Sequence, residues 1–427
     1  MSSDNTAATT KKKPFYYGWV IVIVVFLAGF AESADFNGVL GAFIKPVTEE
    51  FGWSRAQFVG ALSIGTVVGG FSALFIGPMI DKFGARWIMF FGFLVLGATL
   101  IAVRFVENLW QFYVVMILSR ICVQGVIQLC INVVIPKWFI RQRGKAVSIS
   151  SLGVRAGVAV NPLIVQGFIN TGGWRPAIVA LGILTWALTL IPTAVFMRRR
   201  PEDMGLLPDG DTAEEVKKRE EQAKARNAAR RSENAFTLKQ VLKIKSFYFL
   251  LTAFTINFFV SGGITLNLIP FLSDQGLSDS TAVVVFTIWS AMASIGVLAS
   301  GFLADRFPVR HVTVGVFLGI AVGILVMTQV NNLTTALIFA VVHSISFGAT
   351  GTLQNVMLAE YYGRNSLGAI RGFMTPFQTV ATATGPLAMA ILFDNTGSYT
   401  LILSIYIALL IVSACVMFTA RPPQVKA

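Results

Sequence analysis

"GPMIDKFGAR", residues 77–86, returns as "GFLADRFPVR", residues 301–310. Each copy sits between two apolar runs, with an acid four residues after the glycine and a cation directly after the acid. The offset of 224 also relates Gly144 to Gly368, and Asn161 and Pro162 to Gly385 and Pro386. Separate landmarks recurring at one spacing over half a chain mark a duplicated unit, so two similar halves are expected.

The solvent around those halves follows from composition. The chain has 427 residues, 55% hydrophobic and 13% charged, with a mean hydropathy of +0.70. Soluble domains carry about 25% charged residues, and a surface this apolar calls for a lipid bilayer. A hydrocarbon core of about 30 Å is spanned by about 20 apolar residues. Twelve such segments are predicted, at 17–42, 56–79, 86–103, 109–135, 145–169, 174–197, 246–272, 280–303, 311–330, 334–360, 367–392 and 398–419. The expected organisation is a tail (1–16), a six-helix bundle (17–197), a hydrophilic linker (198–245), a second six-helix bundle (246–419) and a short tail (420–427). The first apolar run is too long and poorly flanked for a cleaved leader and is expected to stay as a signal anchor.

Charge placement sets the expected orientation. With the N-terminus cytoplasmic, 28 of the 34 basic residues fall inside, 13 of them on the linker. Only Lys45, Arg55, Arg104 and Arg175 fall outside, which places both termini in the cytoplasm of a cell whose inner membrane holds the chain. The net charge of +13 is interspersed between apolar runs, and no nucleic-acid partner is expected. Cys122, Cys130 and Cys415 lie within apolar runs, with no disulfide or metal-ligand spacing.

The residues of the repeated loops carry a family resemblance. Gly77, Asp81, Lys82, Gly84 and Arg86 resemble the loop between helices 2 and 3 of the major facilitator superfamily. The second copy keeps Gly301, Asp305, Arg306 and Arg310 but has Pro308 in place of the last glycine, so its turn must differ. "LSRICVQG", with Arg120, Gln124 and Gly125, is similar to the family's helix-4 motif. The resemblance implies a twelve-helix, all-α membrane fold of two pseudo-symmetric bundles, active as a monomer. It also implies that the two loops gate the protein by stabilising an outward-open state. A narrower likeness, through "YYGWVIV", "EEFGWSRAQ", "WFIRQRGKAVSIS" and "RRPEDMGLLPDG", is to bacterial monocarboxylate porters and oxalate/formate antiporters. Those porters often have an aspartate and arginine one turn apart in helix 8, where Ala293 and Val297 stand here. The antiporter's helix-11 lysine is absent from "PFQTVATATGPLAMAILF", so the relatives' substrate-reading charges do not carry over.

Ionisable residues inside a membrane are costly and mark functional sites. Glu32, Asp35, Arg120 and Arg155 all fall within about two turns of the midplane of their segments. At the 224 offset their counterparts are Ile256, Phe259, Ser344 and Thr379, so the halves share a frame and differ in electrostatics. Gly153 and Gly157 let another helix approach closely, and Arg155 points away from that face. It is expected either to hold a carboxylate through a two-pronged bond or to pair permanently with Glu32 or Asp35. On helix 4, Arg120, Gln124, Gln128 and Asn132 recur every four residues as a polar stripe. Asn257, His343 and Gln354 are the candidates in the second half, with His343 equally readable as a packing residue.

These observations point to a secondary transporter for a small organic anion such as a monocarboxylate, working by alternating access with proton symport or anion exchange. Glu32 or Asp35 is the expected proton carrier. Efflux of amphipathic compounds is the rival within transport, and a non-transporting membrane sensor is the rival outside it. No Walker lysine loop, His-Glu-x-x-His or Gly-x-Ser-x-Gly occurs. No enzymatic activity, cofactor or metal is therefore expected.

Overall fold

A computed structural model describes residues 15–140, 142–211, 236–363 and 367–423, and the side chains at 74, 81, 143, 144 and 305 lie outside that description. Among the described residues, twelve helices are long and apolar enough to cross a membrane. The first six are α1 (Gly18–Phe51), α2 (Arg55–Phe83), α3 (Ala85–Ala102), α4 (Leu109–Trp138), α5 (Arg143–Gly172) and α6 (Trp174–Ile191). The second six are α7 (Lys245–Asp274), α8 (Asp279–Arg306), α9 (Val309–Met327), α10 (Leu333–Tyr362), α11 (Leu367–Thr396) and α12 (Thr400–Thr419).

Each predicted segment falls on one helix, and α1 runs well past its predicted end at residue 42. Polar residues set several starts. Ser54 caps α2 in a reciprocal capping box with Gln57, and Asn108, Ser278 and Asn332 accept from the first-turn amides of α4, α8 and α10. Gly84 joins α2 to α3 at φ +81°, a conformation that favours glycine. The second copy turns instead through extended Phe307 and Pro308, as the missing glycine requires.

The two halves repeat in space. In the first bundle α1 packs on α5, α2 on α4 and α3 on α6; in the second, α7 packs on α11, α8 on α10 and α9 on α12. Across the bundles α1 meets α7, α2 meets α11 and α5 meets α8. The start of α1, the end of α6, the start of α7 and the end of α12 share one face, here the terminal face; the opposite one is the far face.

Two helices are irregular. α1 is interrupted by a 3-10 turn at Ser33–Asp35, followed by extended Phe36. Ser33 Oγ donates to Phe30 O at 2.7 Å, and Asn161 Nδ2 of α5 donates to Ser33 Oγ at 2.9 Å. Asn161 Nδ2 also reaches Phe30 O at 3.4 Å, giving a polar partner to the broken turn. Its counterpart Gly385 does a different job, since a Cβ there would lie 1.9 Å from Phe259 O. The second irregularity is a π-helical stretch, Ile121–Ile127, inside α4.

Candidate functional site

The buried charges of the first bundle sort into a paired set and an unpaired set. Asp35 and Arg120 are 0% and 2% exposed. Arg120 Nε lies 3.3 Å from Asp35 Oδ2, Ser119 Oγ donates to Asp35 Oδ1 at 2.9 Å, and Arg120 Nη2 donates to Asn37 Oδ1 at 2.7 Å. The stem of Arg120 runs past Gly65 of α2, where a Cβ would meet it at 2.8 Å. This network ties α1, α2 and α4 together, and it withholds Arg120 from any solute in this state. The four-residue stripe on α4 therefore divides at the π-helical stretch. Gln124 is half-buried, Gln128 and Asn132 are exposed, and Arg120 turns inward.

Glu32 is 1% exposed, and its Oε1 has no hydrogen-bond partner. No cation pairs with it among the described residues. Arg155 is its converse. It sits halfway along α5, half-buried, with no ion pair or hydrogen bond among the described residues. The permanent pair of Arg155 with Glu32 or Asp35, one of the two expectations for it, is not formed: Asp35 is taken by Arg120. α1 packs on the glycine face of α5, where a Cβ on Gly153 would lie 2.0 Å from Phe26 O and one on Gly157 2.5 Å from Phe30 O. One turn from Arg155 toward the far face, Thr287 Oγ1 of α8 donates to Ala159 O of α5 at 3.0 Å. Arg155 thus lies directly below the level at which the bundles close on each other.

In the second bundle, His343 is fully buried between α8 and α9. Its Nδ1 accepts from Trp289 Nε1 at 3.0 Å, and Gly323 leaves room for its backbone. Phe339, Phe347 and Trp289 surround the ring, and its Nε2 has no hydrogen-bond partner. Asn257 and Gln354 are buried, the former with Nδ2 unpartnered.

The side chains of Asp81 and Asp305 lie outside the described residues. Their neighbours on the loops hold each bundle's own corner together. Arg86 donates from Nε to Ala194 O at 3.0 Å, closing the end of α6, and lies over Trp87 at 5.0 Å. Arg310 lies over Phe418 of α12 at 5.6 Å. Lys82 lies over its neighbour Phe83, while Arg306 is exposed; Gly77 and Gly301 border open space.

Closure of the far face rests on residues other than the candidate site residues. Arg55, at the start of α2, donates through Nη2 to Asp274 Oδ1 of α7 at 2.9 Å and also bonds Tyr399. Its guanidinium lies 4.2 Å above the ring of Phe393. Asp394 of α11 accepts from the backbone amides of Arg55 and Ala56 at 3.2 and 2.7 Å, capping α2 from the other bundle. Burial pushes the Tyr399 hydroxyl's pKa up, so it stays a donor to Asp274. Deeper, Ser63 Oγ donates to Ala383 O at 2.6 Å. Among the described residues, every polar contact between the bundles lies from the midplane to the far face, which is therefore closed. Arg55 was countable as an outer cation, but its partners become legible only once α2 is known to abut α7 and α11.

A family model for the Major Facilitator Superfamily matches residues 21–386 and 256–427. The "Uncharacterized MFS-type transporter YcxA" of Bacillus subtilis is 24% identical over 405 residues, 93% of this chain and 94% of that one. The "Uncharacterized transporter ESBP6" of Saccharomyces cerevisiae is 24% identical over 306 residues, which is 70% of this chain but only 42% of that relative's length. Among solved structures, an inward-facing bacterial homolog of the human lysosomal transporter Spinster superposes with a TM-score of 0.73 at 15% identity, over 96% of this chain and 97% of the other. A D-xylose-proton symporter gives 0.73 at 16% identity, over 95% and 98%. The two structural likenesses speak to the fold.

Proposed function

The chain belongs to the major facilitator superfamily and is a secondary transporter of that type, and we propose that its solute is a small organic anion held by Arg155. The observation that carries this reading is the unpartnered guanidinium of Arg155, halfway along α5 and one turn below the Ala159–Thr287 contact. A half-buried cation at mid-membrane depth without a counter-charge is costly, and an entering carboxylate supplies two acceptors in matching geometry. Gln124 and Gln128 on α4 offer further hydrogen bonds to the solute. A monocarboxylate satisfies this arrangement with a single charge.

Glu32 carries the coupling proton in this account, because Asp35 is already neutralised by Arg120. An isolated buried carboxylate favours neutralisation, so Glu32 takes a proton in one state and gives it up in the other. The positive-inside bias supports both termini facing the cytoplasm, with the terminal face as the cytoplasmic one; the chain works as a single copy in the plasma membrane. Asp81 and Asp305 then latch the cytoplasmic face when the far face opens. Uptake of labelled lactate, oxalate and formate into proteoliposomes, with and without an imposed pH gradient, tests the reading. Saturable uptake of at least one of them supports it, and uptake of none overturns it.

A further inference from the structure

The far face is closed by two clasps related by the same 224 offset, and they are not equivalent. On one side Asp394 of α11 caps the start of α2 at Ala56; on the other, Asn170 of α5 reaches Ser280 at the start of α8, at 3.1 Å. Arg55 of the first clasp corresponds to Asp279 of the second, and Ile269 corresponds to Lys45. The first bundle thus contributes cations to the closure and the second bundle acids.

The Arg55 clasp is committed to closure. Its ion pair is 13% and 19% exposed, with Phe393 beneath it stacked on Tyr399 at 4.4 Å. A cavity of about 360 Å³ opens beside it, lined by Asp274, Phe393 and Tyr399 but not by Arg55. At the other clasp, Ile169 stands at the position corresponding to Phe393, and a cavity of about 60 Å³ remains between α1, α5, α7 and α8. Lys45, Glu49, Gln166, Pro270 and Asp279 help to line it. Lys45 Nζ is 3.9 Å from Asp279 Oδ1, with the two side chains 36% and 51% exposed. That separation is an ion pair without a hydrogen bond, and Asp279 Oδ1 already accepts from Ser273 Oγ at 2.6 Å. The ammonium of Lys45 has no hydrogen-bond acceptor among the described residues.

We propose that this crevice is the far-face doorway and that Lys45 is an entry site for a carboxylate, which displaces Asp279 as the bundles part. The inference rests on the anion reading above. The cavity has room for a few waters or a carboxylate group. Lys45 offers three free donors to such a group, whereas the acceptors around Arg55 leave that guanidinium committed to closure. An anion thus meets a cation twice along the path, first at Lys45, which has Glu49 on the same wall, and then at Arg155.

The test measures KM and kcat for the transported anion among lactate, oxalate and formate, in right-side-out membrane vesicles. Lys45→Gln should raise the far-side KM about fivefold with kcat unchanged, the scale of one partly exposed ion pair. Lys45→Arg should restore KM to within about twofold of wild type, and the KM for efflux should not move. An unchanged far-side KM in Lys45→Gln, with wild-type uptake intact, overturns this inference alone. Absence of uptake by the wild type overturns the anion reading and this inference with it.

Discussion

Arg120 of α4 and Asp35 of α1 form a fully buried ion pair, Nε to Oδ2 at 3.3 Å, beside the interruption of α1. Removing one member leaves the other charge in the protein interior. Asp35→Asn should therefore cost about 3–5 kcal/mol of stability, read as a lower melting temperature in detergent. Combining it with Arg120→Gln should recover part of the loss. Unchanged melting in Asp35→Asn would show that the pair holds nothing together.

The Arg55 clasp predicts a shift in the open-face equilibrium. With the native cysteines replaced, Ser63→Cys reports on the far-face seam, since Ser63 bonds Ala383 across it. Arg55→Gln should speed labelling of that cysteine by an impermeant reagent, by about tenfold on the scale of typical coupling energies. Equal labelling in both backgrounds would make the clasp ornamental.

Glu32→Gln should abolish accumulation driven by a pH gradient and leave exchange of anion for anion at equal pH intact. Glutamine keeps the shape of the side chain and loses the exchangeable proton. Gradient-driven accumulation at the wild-type level in Glu32→Gln would move the coupling proton elsewhere.

His343 carries the opposite expectation. Its Nδ1 is occupied by the Trp289 indole, and three aromatic rings enclose it. His343→Gln should cost about 1 kcal/mol, the worth of a lost hydrogen bond, and leave the pH profile of transport where it was. A displaced pH profile would return the histidine to the coupling path.

The frame of the molecule was legible because the bilayer imposes it: segment length, the repeated loops and the close-packing glycines all follow from local rules. The twelve helices and the packing of α1 on Gly153 and Gly157 follow the pattern directly. The partnering of charges was not legible in the same way. Four charged residues near one depth allow several pairings, and the 3-10 turn at Ser33–Asp35 decides among them by turning Asp35 toward Arg120. No proline or glycine announces that turn; it depends on Asn161, far along the chain. The π-helical stretch of α4 likewise breaks a four-residue periodicity that treats the helix as regular. The far-face clasps needed knowledge of which helices meet across the two bundles.

Transport by Arg155→Ala tests the central claim most directly. In proteoliposomes holding equal amounts of folded protein, the account predicts that neither Arg155→Ala nor Arg155→Lys takes up lactate, oxalate or formate above empty liposomes. Lysine keeps the charge but lacks the planar fork that meets a carboxylate. Wild-type uptake of the same anion by Arg155→Ala would contradict the account, because the unpartnered guanidinium would then have no part in holding the solute.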